Sequence, residues 1–132
     1  MTNALHTFNP TGMATPSGPY SQGALSREPG QWLHIAGQVG VDADGRHPDD
    51  FQQQVALTWA NVTRVLEAAG MSAANLVKTT TYVVPDQDLA AMNEVRMGYL
   101  GDARPASTLL VVHALAHPGW RIEVEALAFK PA

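Results

Sequence analysis

The chain has no cysteine, which rules out disulfides, thiolate nucleophiles and cysteine-ligated zinc and fits a reducing compartment. It is also sparing with charge: 15% of its residues are Asp, Glu, Lys or Arg, and no run of one sign occurs. Eight Lys and Arg against twelve Asp and Glu give a formal net charge of −4. Without a basic stripe, a nucleic-acid partner is not expected. No apolar run approaches the roughly 20 residues of a membrane span, and the first residues lack the basic-then-apolar pattern of a secretory signal. The expectation is a cytoplasmic protein without a membrane partner.

The usual cofactor signatures are also missing. Gly37-Gln38-Val39-Gly40 is not a phosphate-binding fingerprint, and no nucleophile-elbow or P-loop spacing occurs. The five histidines (His6, His34, His47, His113, His117) show no metal-ligand spacing. His113 and His117 are four apart, but Pro118 and the neighbouring strand pattern deny them a shared helical face. Neither a metal nor an organic cofactor is expected.

What is present fits one domain over residues 1–132, with enough apolar residues (45%) for a real core. A short strand at 5–9 precedes a Pro-, Gly- and Ser-rich loop at 10–22. Segments 23–27 and 32–39 flank Glu28-Pro29-Gly30-Gln31, whose Pro-Gly predicts a turn and hence a hairpin. Phe51, Val55, Trp59, Val62, Leu66 and Ala69 recur at helical steps, with Asp49 or Asp50 at the start and Gly70 at the stop. Residues 76–84 are rich in β-branched side chains and end before Pro85, as a strand does. Asp86 or Asp88 can cap a second helix to about residue 99, on which Leu89, Met92, Val95 or Arg96, and Tyr99 align. Strands at 107–114 and 121–130 complete an α+β domain, a mixed sheet with two helices packed on one face. The strand at 107–114 is apolar on both sides, Leu109 and Val111 against Leu110 and Val112. Helices on one face cannot cover both, and a homo-oligomer is the economical solution.

Candidate chemistry centres on Ile122-Glu123-Val124-Glu125-Ala126-Leu127-Ala128. Alternation puts Glu123, Glu125 and Leu127 on one face and Ile122, Val124 and Ala126 on the other. Acids on a wet face are ordinary; an acid lining a pocket could instead handle protons. Lys78 falls in a strand and is read as a solvated lysine, since a Schiff base would need burial. Gly18-Pro19-Tyr20-Ser21-Gln22, taken alone, is a rigid turn.

Taken in order, several segments identify more. Gly18-Pro19-Tyr20-Ser21-Gln22-Gly23, Ala36-Gly37-Gln38-Val39, Asn61-Val62, Val65-Leu66-Glu67-Ala68-Ala69-Gly70, Val77-Lys78-Thr79-Thr80, Met92-Asn93-Glu94-Val95, Pro105-Ala106 and Ile122-Glu123-Val124-Glu125-Ala126 resemble the Rid family. These are the reactive-intermediate deaminases, also called YjgF-like or L-PSP proteins, and the resemblance spans essentially the whole chain. It implies a chorismate-mutase-like fold and a homotrimer with ligand clefts between subunits. For the best-understood branch it implies cofactor-free hydrolysis of imines and enamines, such as 2-aminoacrylate, to ketones and ammonia. By the same resemblance Tyr20 is a pocket wall, Gly37 turns its carbonyl to the ligand, Asn93 stands on the second helix by the site, and Glu123 positions water.

One departure bears on the substrate. In the deaminase branch an arginine follows Pro-Ala and grips the substrate carboxylate; here Pro105-Ala106 is followed by Ser107 and Thr108. These two complete the expected binding set with Tyr20, Gly37 and Asn93. A serine cannot reproduce a bidentate guanidinium–carboxylate pair, a loss of roughly 3 kcal/mol or about a hundredfold. Arg104, expected exposed at the strand start, and Arg121, on the Glu123 face, are the replacements weighed. The expectation is a small-molecule imine or enamine other than 2-aminoacrylate; a non-catalytic ligand sensor on the same trimer is the alternative.

Overall fold

The structure, a computed structural model, describes residues 4–27 and 29–132. Strand β1 (Leu5–Phe8) is followed by β2 (Gly23–Ser26) and β3 (Gly30–Val39); helix α1 (Phe51–Ala68) leads through a short 3-10 turn, Ala73–Asn75, into β4 (Leu76–Val83). Helix α2 (Leu89–Leu100), β5 (Ala106–Val111) and β6 (Ile122–Pro131) complete the chain. Both helices start as their sequences predict. The Asp50 carboxylate accepts from the Gln53 N–H at 2.9 Å, and that of Asp88 from the Ala91 N–H at 3.0 Å. Each satisfies an amide that the helix itself leaves unpaired. Helix α1 stops at Gly70, whose φ of +71° an L side chain resists and whose N–H returns to the Glu67 carbonyl.

The main sheet has the order β3-β6-β4-β5, with β4 and β5 parallel and the other pairs antiparallel. Alternation along β6 is as expected. Ile122, Val124, Ala126 and Ala128 are buried toward the helices, while Glu123, Glu125 and Leu127 face the other way. The helix side forms the core: Phe51, Val55, Trp59, Val62 and Leu66 of α1 pack with Met92 and Leu100 of α2 over Ile35, Leu76, Val83 and the inward β6 residues. The sheet is thus mixed, with both helices on one face, the chorismate-mutase-like α+β arrangement. No helix among the described residues is long and apolar enough to cross a membrane.

The predicted hairpin between segments 23–27 and 32–39 does not form. Strand β2 pairs instead with β1, Phe8 opposite Gly23 and Leu5 opposite Ser26, while β3 pairs with β6 from Gly30–Pro131 to Val39–Glu123. Two glycines explain the exchange. A Cβ at Gly23 would lie 2.6 Å from the Phe8 ring, so only glycine lets β1 close over β2. A Cβ at Gly30 would lie 2.6 Å from the Phe129 ring, so this glycine admits β6 rather than turning the chain. Glu28, within the predicted turn, lies outside the described residues.

Strand β5 ends at Val111, three residues short of the predicted limit. It is the sheet's edge, bound on one side by β4 and on the other, among the described residues, by a single bridge from Ala106 to Ser21. Leu109, Leu110 and Val111 are 40, 45 and 60% exposed, which leaves both sides of an apolar edge strand unsupported within one chain.

Candidate functional site

The segment before β2 is stitched to the start of β5. Tyr20 N–H turns back to the Gly18 carbonyl at 2.8 Å, Ser21 N–H reaches the Pro105 carbonyl at 3.1 Å, and buried Ser21 bridges Ala106. This carries Tyr20 alongside the helix-facing side of β5. There α2 presents Asn93 and Arg96, three residues apart and so neighbours on one helical face. Between loop, strand and helix lies a cavity of about 180 Å³ lined by Ser17, Gly18, Tyr20, Asn93, Arg96, Ser107 and Leu109. Three of the expected ligand residues, Tyr20, Asn93 and Ser107, therefore meet in one place. The Ser107 hydroxyl is already engaged, accepting from the Thr79 hydroxyl at 3.2 Å.

Arg96 was not among the expected site residues; on the sequence it is one of two candidates for the apolar stripe of α2. In the structure it is 5% exposed, and its Nη2 donates to Asn93 Oδ1 at 2.6 Å. Its Nε is buried without a partner among the described residues. Burial, and secondarily the charge of Arg104, lower its pKa below the usual guanidinium value. The signal available beforehand was a permanent cation in register with Leu89 and Met92. Neither of the two replacement cations named from the sequence lines the cavity. Arg104 is half-buried rather than exposed, and its Nη1 donates to the Gly101 and Ala103 carbonyls at 2.8 and 2.7 Å. Arg121 has its backbone N–H held by Gln54 Oε1 at 2.9 Å and does not line the cavity.

The remaining expected residues lie on the opposite, open face of the sheet. Strand β3 slips register between Ile35 and Gln38, so Ala36 and Gly37 form a bulge against β6. The Glu123 carboxylate lies over the Gly37 α-carbon so closely that a Cβ there would overlap its Oε2. Glycine is thus what lets this acid lie flat on β3. One row along, Glu125 Oε1 accepts from the Tyr82 hydroxyl at 2.6 Å. That bond, then burial and the charges of Glu125 and Glu123, raise the phenol's pKa above its usual value. Thr108 also faces this side and accepts from Lys78 Nζ at 2.6 Å, so the half-buried lysine is tethered rather than freely solvated. Within one chain, Gly37, Glu123 and Thr108 are separated by the sheet from Tyr20, Asn93 and Ser107. Among the described residues no group of three or more His, Asp or Glu is placed to hold a metal ion.

A family model described as Endoribonuclease L-PSP matches residues 11–130. The chain belongs to this family, the Rid or YjgF-like proteins. A Rid family protein from Yersinia pestis superposes with a TM-score of 0.86 at 32% identity, covering 97% of this chain and 100% of that one. A RutC family protein of Pyrococcus horikoshii is 37% identical over 117 residues, 87% of this chain and 90% of that protein. The 2-iminobutanoate/2-iminopropanoate deaminase of Capra hircus is 34% identical over 113 residues, 84% of this Rid-family chain and 80% of that enzyme. The resemblance read from the collinear segments is thereby borne out.

Proposed function

We propose that this Rid-family protein hydrolyses a small imine or enamine without a cofactor, in a cleft completed by a second copy of the chain. The observation that carries the reading is the convergence of Tyr20, Asn93 and Ser107 on one small cavity, in a chain similar to an iminobutanoate deaminase. Water adds to the imine carbon, Glu123 takes a proton from that water, and the carbinolamine collapses to a ketone as ammonia leaves with the returned proton. Because Glu123 lies across the sheet from its own chain's cavity, the reading needs a neighbour's Gly37–Glu123 ridge to face it. A homotrimer built through the exposed apolar edge of β5 is the assembly this reading calls for. Ser107 in place of a guanidinium makes 2-aminoacrylate a poor substrate under this reading, and the cysteine-free composition fits the cytoplasm. A ribonuclease role finds less support, because the chain carries net charge −4 and no basic stripe.

Ammonia release from a panel of freshly generated imines tests the proposal. Turnover of at least one imine, lowered about 10²–10⁴-fold by Glu123→Gln with the oligomer intact, is expected. Equal rates for the two proteins would leave Glu123 a surface acid and favour a ligand sensor on the same scaffold.

A further inference from the structure

We propose that Arg96 forms an ion pair with Glu123 of a second copy of the chain, across the shared cleft, and so fixes where that acid stands. The inference rests on the reading that a neighbour's Gly37–Glu123 ridge faces the Tyr20–Asn93–Ser107 cavity, and it adds a positioning residue to that site.

Within one chain neither group has a counterpart. A guanidinium taken out of water is costly unless an opposite charge meets it. Arg96 is 5% exposed, yet its one side-chain hydrogen bond among the described residues goes to the neutral Asn93 oxygen. No acid of its own chain lines the cavity beside it, and the charge of Arg104 adds repulsion. Its Nη2 stands at the cavity wall next to Gly18, where even a Cβ would lie 3.6 Å away, so no side chain covers it on that side. A guanidinium carries five N–H donors, and the bond to Asn93 engages one.

Glu123 is the matching case on the opposite face of the sheet. Its neighbours there are held within the chain, Glu125 by the Tyr82 hydroxyl and Thr108 by Lys78. Glu123 takes no side-chain partner among the described residues; its carboxylate rests on the bare Gly37 α-carbon, half-buried on the open face. The docking that completes the cleft therefore brings a buried cation and an unpaired acid together. Pairing them serves the chemistry twice. A carboxylate held by a guanidinium accepts hydrogen bonds and donates none, the state that takes a proton from water. The fork of the guanidinium also sets the direction of an acid that its own chain leaves loose on a glycine bulge. Asn93 holds the guanidinium, and the guanidinium holds the acid. An apolar residue such as Met92, one turn earlier, would pack α2 as well but could do neither.

The test follows the Arg96 Nε–Hε resonance of the full-length 15N-labelled protein. The chain has six arginines, and the signal is the one that Arg96→Met removes. In the assembled protein Glu123→Gln should move it, and Glu123→Asp, which keeps the charge, should move it less. Leu110→Asp, which charges the exposed apolar edge of β5 and should leave the chain monomeric, should move it in the same direction as Glu123→Gln. Labelled wild type refolded with a roughly tenfold excess of unlabelled Glu123→Gln chains separates neighbour from self. Most of the signal should then take the shifted position, although every labelled chain keeps its own Glu123. A resonance that stays put in Glu123→Gln, or that in the mixture follows the labelled chain's own acid, overturns the pair. The hydrolase reading fails on a different measurement. A shift with no ammonia released from any imine would remove the hydrolase and keep the pair. Imine turnover that needs Glu123, beside an unmoved Arg96 resonance, would remove the pair and keep the hydrolase.

Discussion

Arg96 illustrates how a single side chain can run against the stripe it belongs to. Four of the residues that α2 buries are Ala91, Met92, Arg96 and Leu100, and only one of them carries charge. If the charge answers an acid of another copy and nothing in its own chain, removing it should help a chain held apart by Leu110→Asp. In that background Arg96→Met is expected to raise the thermal midpoint by a few degrees, on the order of 1 kcal/mol, as replacements of buried ionic groups by apolar ones do. Differential scanning calorimetry reads this directly, and a fall of several degrees would mark the arginine as a structural strut of its own chain. Tyr82 allows a second measurement at this scale. Its hydrogen bond to Glu125 holds the phenol above its ordinary pKa of 10.0. The stabilisation belongs to the protonated phenol, so it is present below the unfolded value and disappears as pH rises through the folded one. Glu125→Gln should therefore move one of the chain's three tyrosines to lower pH in an ultraviolet absorbance titration; an unchanged curve would mean the bond does not persist in solution. Gly37 was legible as a site glycine only through the family resemblance, but its cause is local: a side chain there would collide with Glu123. Gly37→Ala should displace that carboxylate, the free end of a half-buried side chain on the open face, and shift the urea midpoint little; a large loss of stability would mean the acid cannot move aside.

At the scale of elements, both helices and the strands of the main sheet were readable because each announces itself locally. Apolar residues recur at helical steps from Phe51 to Leu66, capping aspartates precede each helix, and β6 alternates cleanly. Pairing was less readable, since it depends on contacts a hundred residues apart. The Pro29-Gly30 pair looks like a turn in sequence, while the space left by Gly30 for Phe129 is visible only once β6 is alongside. The division of the site had the same origin. That Glu123 alternates onto one face is a local fact; that Tyr20, Asn93 and Ser107 lie on the other depends on how α2 and the 16–22 loop meet β5. Element ends offer a plain test. Asp50→Ala removes the acceptor for the Gln53 N–H and should cost about 1 kcal/mol, and Gly70→Ala about as much through its positive φ. Denaturant midpoints that stay put would mean that packing of α1 against the sheet, and not its termini, decides its length.

Over the whole molecule, the unsettled surface is the edge of β5. Three consecutive apolar side chains on an edge strand are what natural sheets avoid unless something covers them. The proposed cover is two further copies of the chain, so light scattering in dilute buffer should give about three times the 14.1 kDa chain mass. Leu110→Asp should shift that mass toward the monomer while leaving the helix-side core untouched, because Leu110 shares the open face with Tyr82. A wild type that remains monomeric at all concentrations would remove both the assembly and the shared cleft.

The sheet that separates Glu123 from Asn93 has a consequence for genetics. When each cleft draws on two chains, two damaged alleles can repair one another. A Glu123→Gln chain still offers an intact cavity, and an Asn93→Ala chain still offers an intact acid. Refolded together in equal amounts, they should place a good acid opposite a good cavity at about one interface in four. Two preparations that are each inert would then become active on mixing, whereas two variants damaged on the same face, such as Tyr20→Ala and Asn93→Ala, would stay silent together.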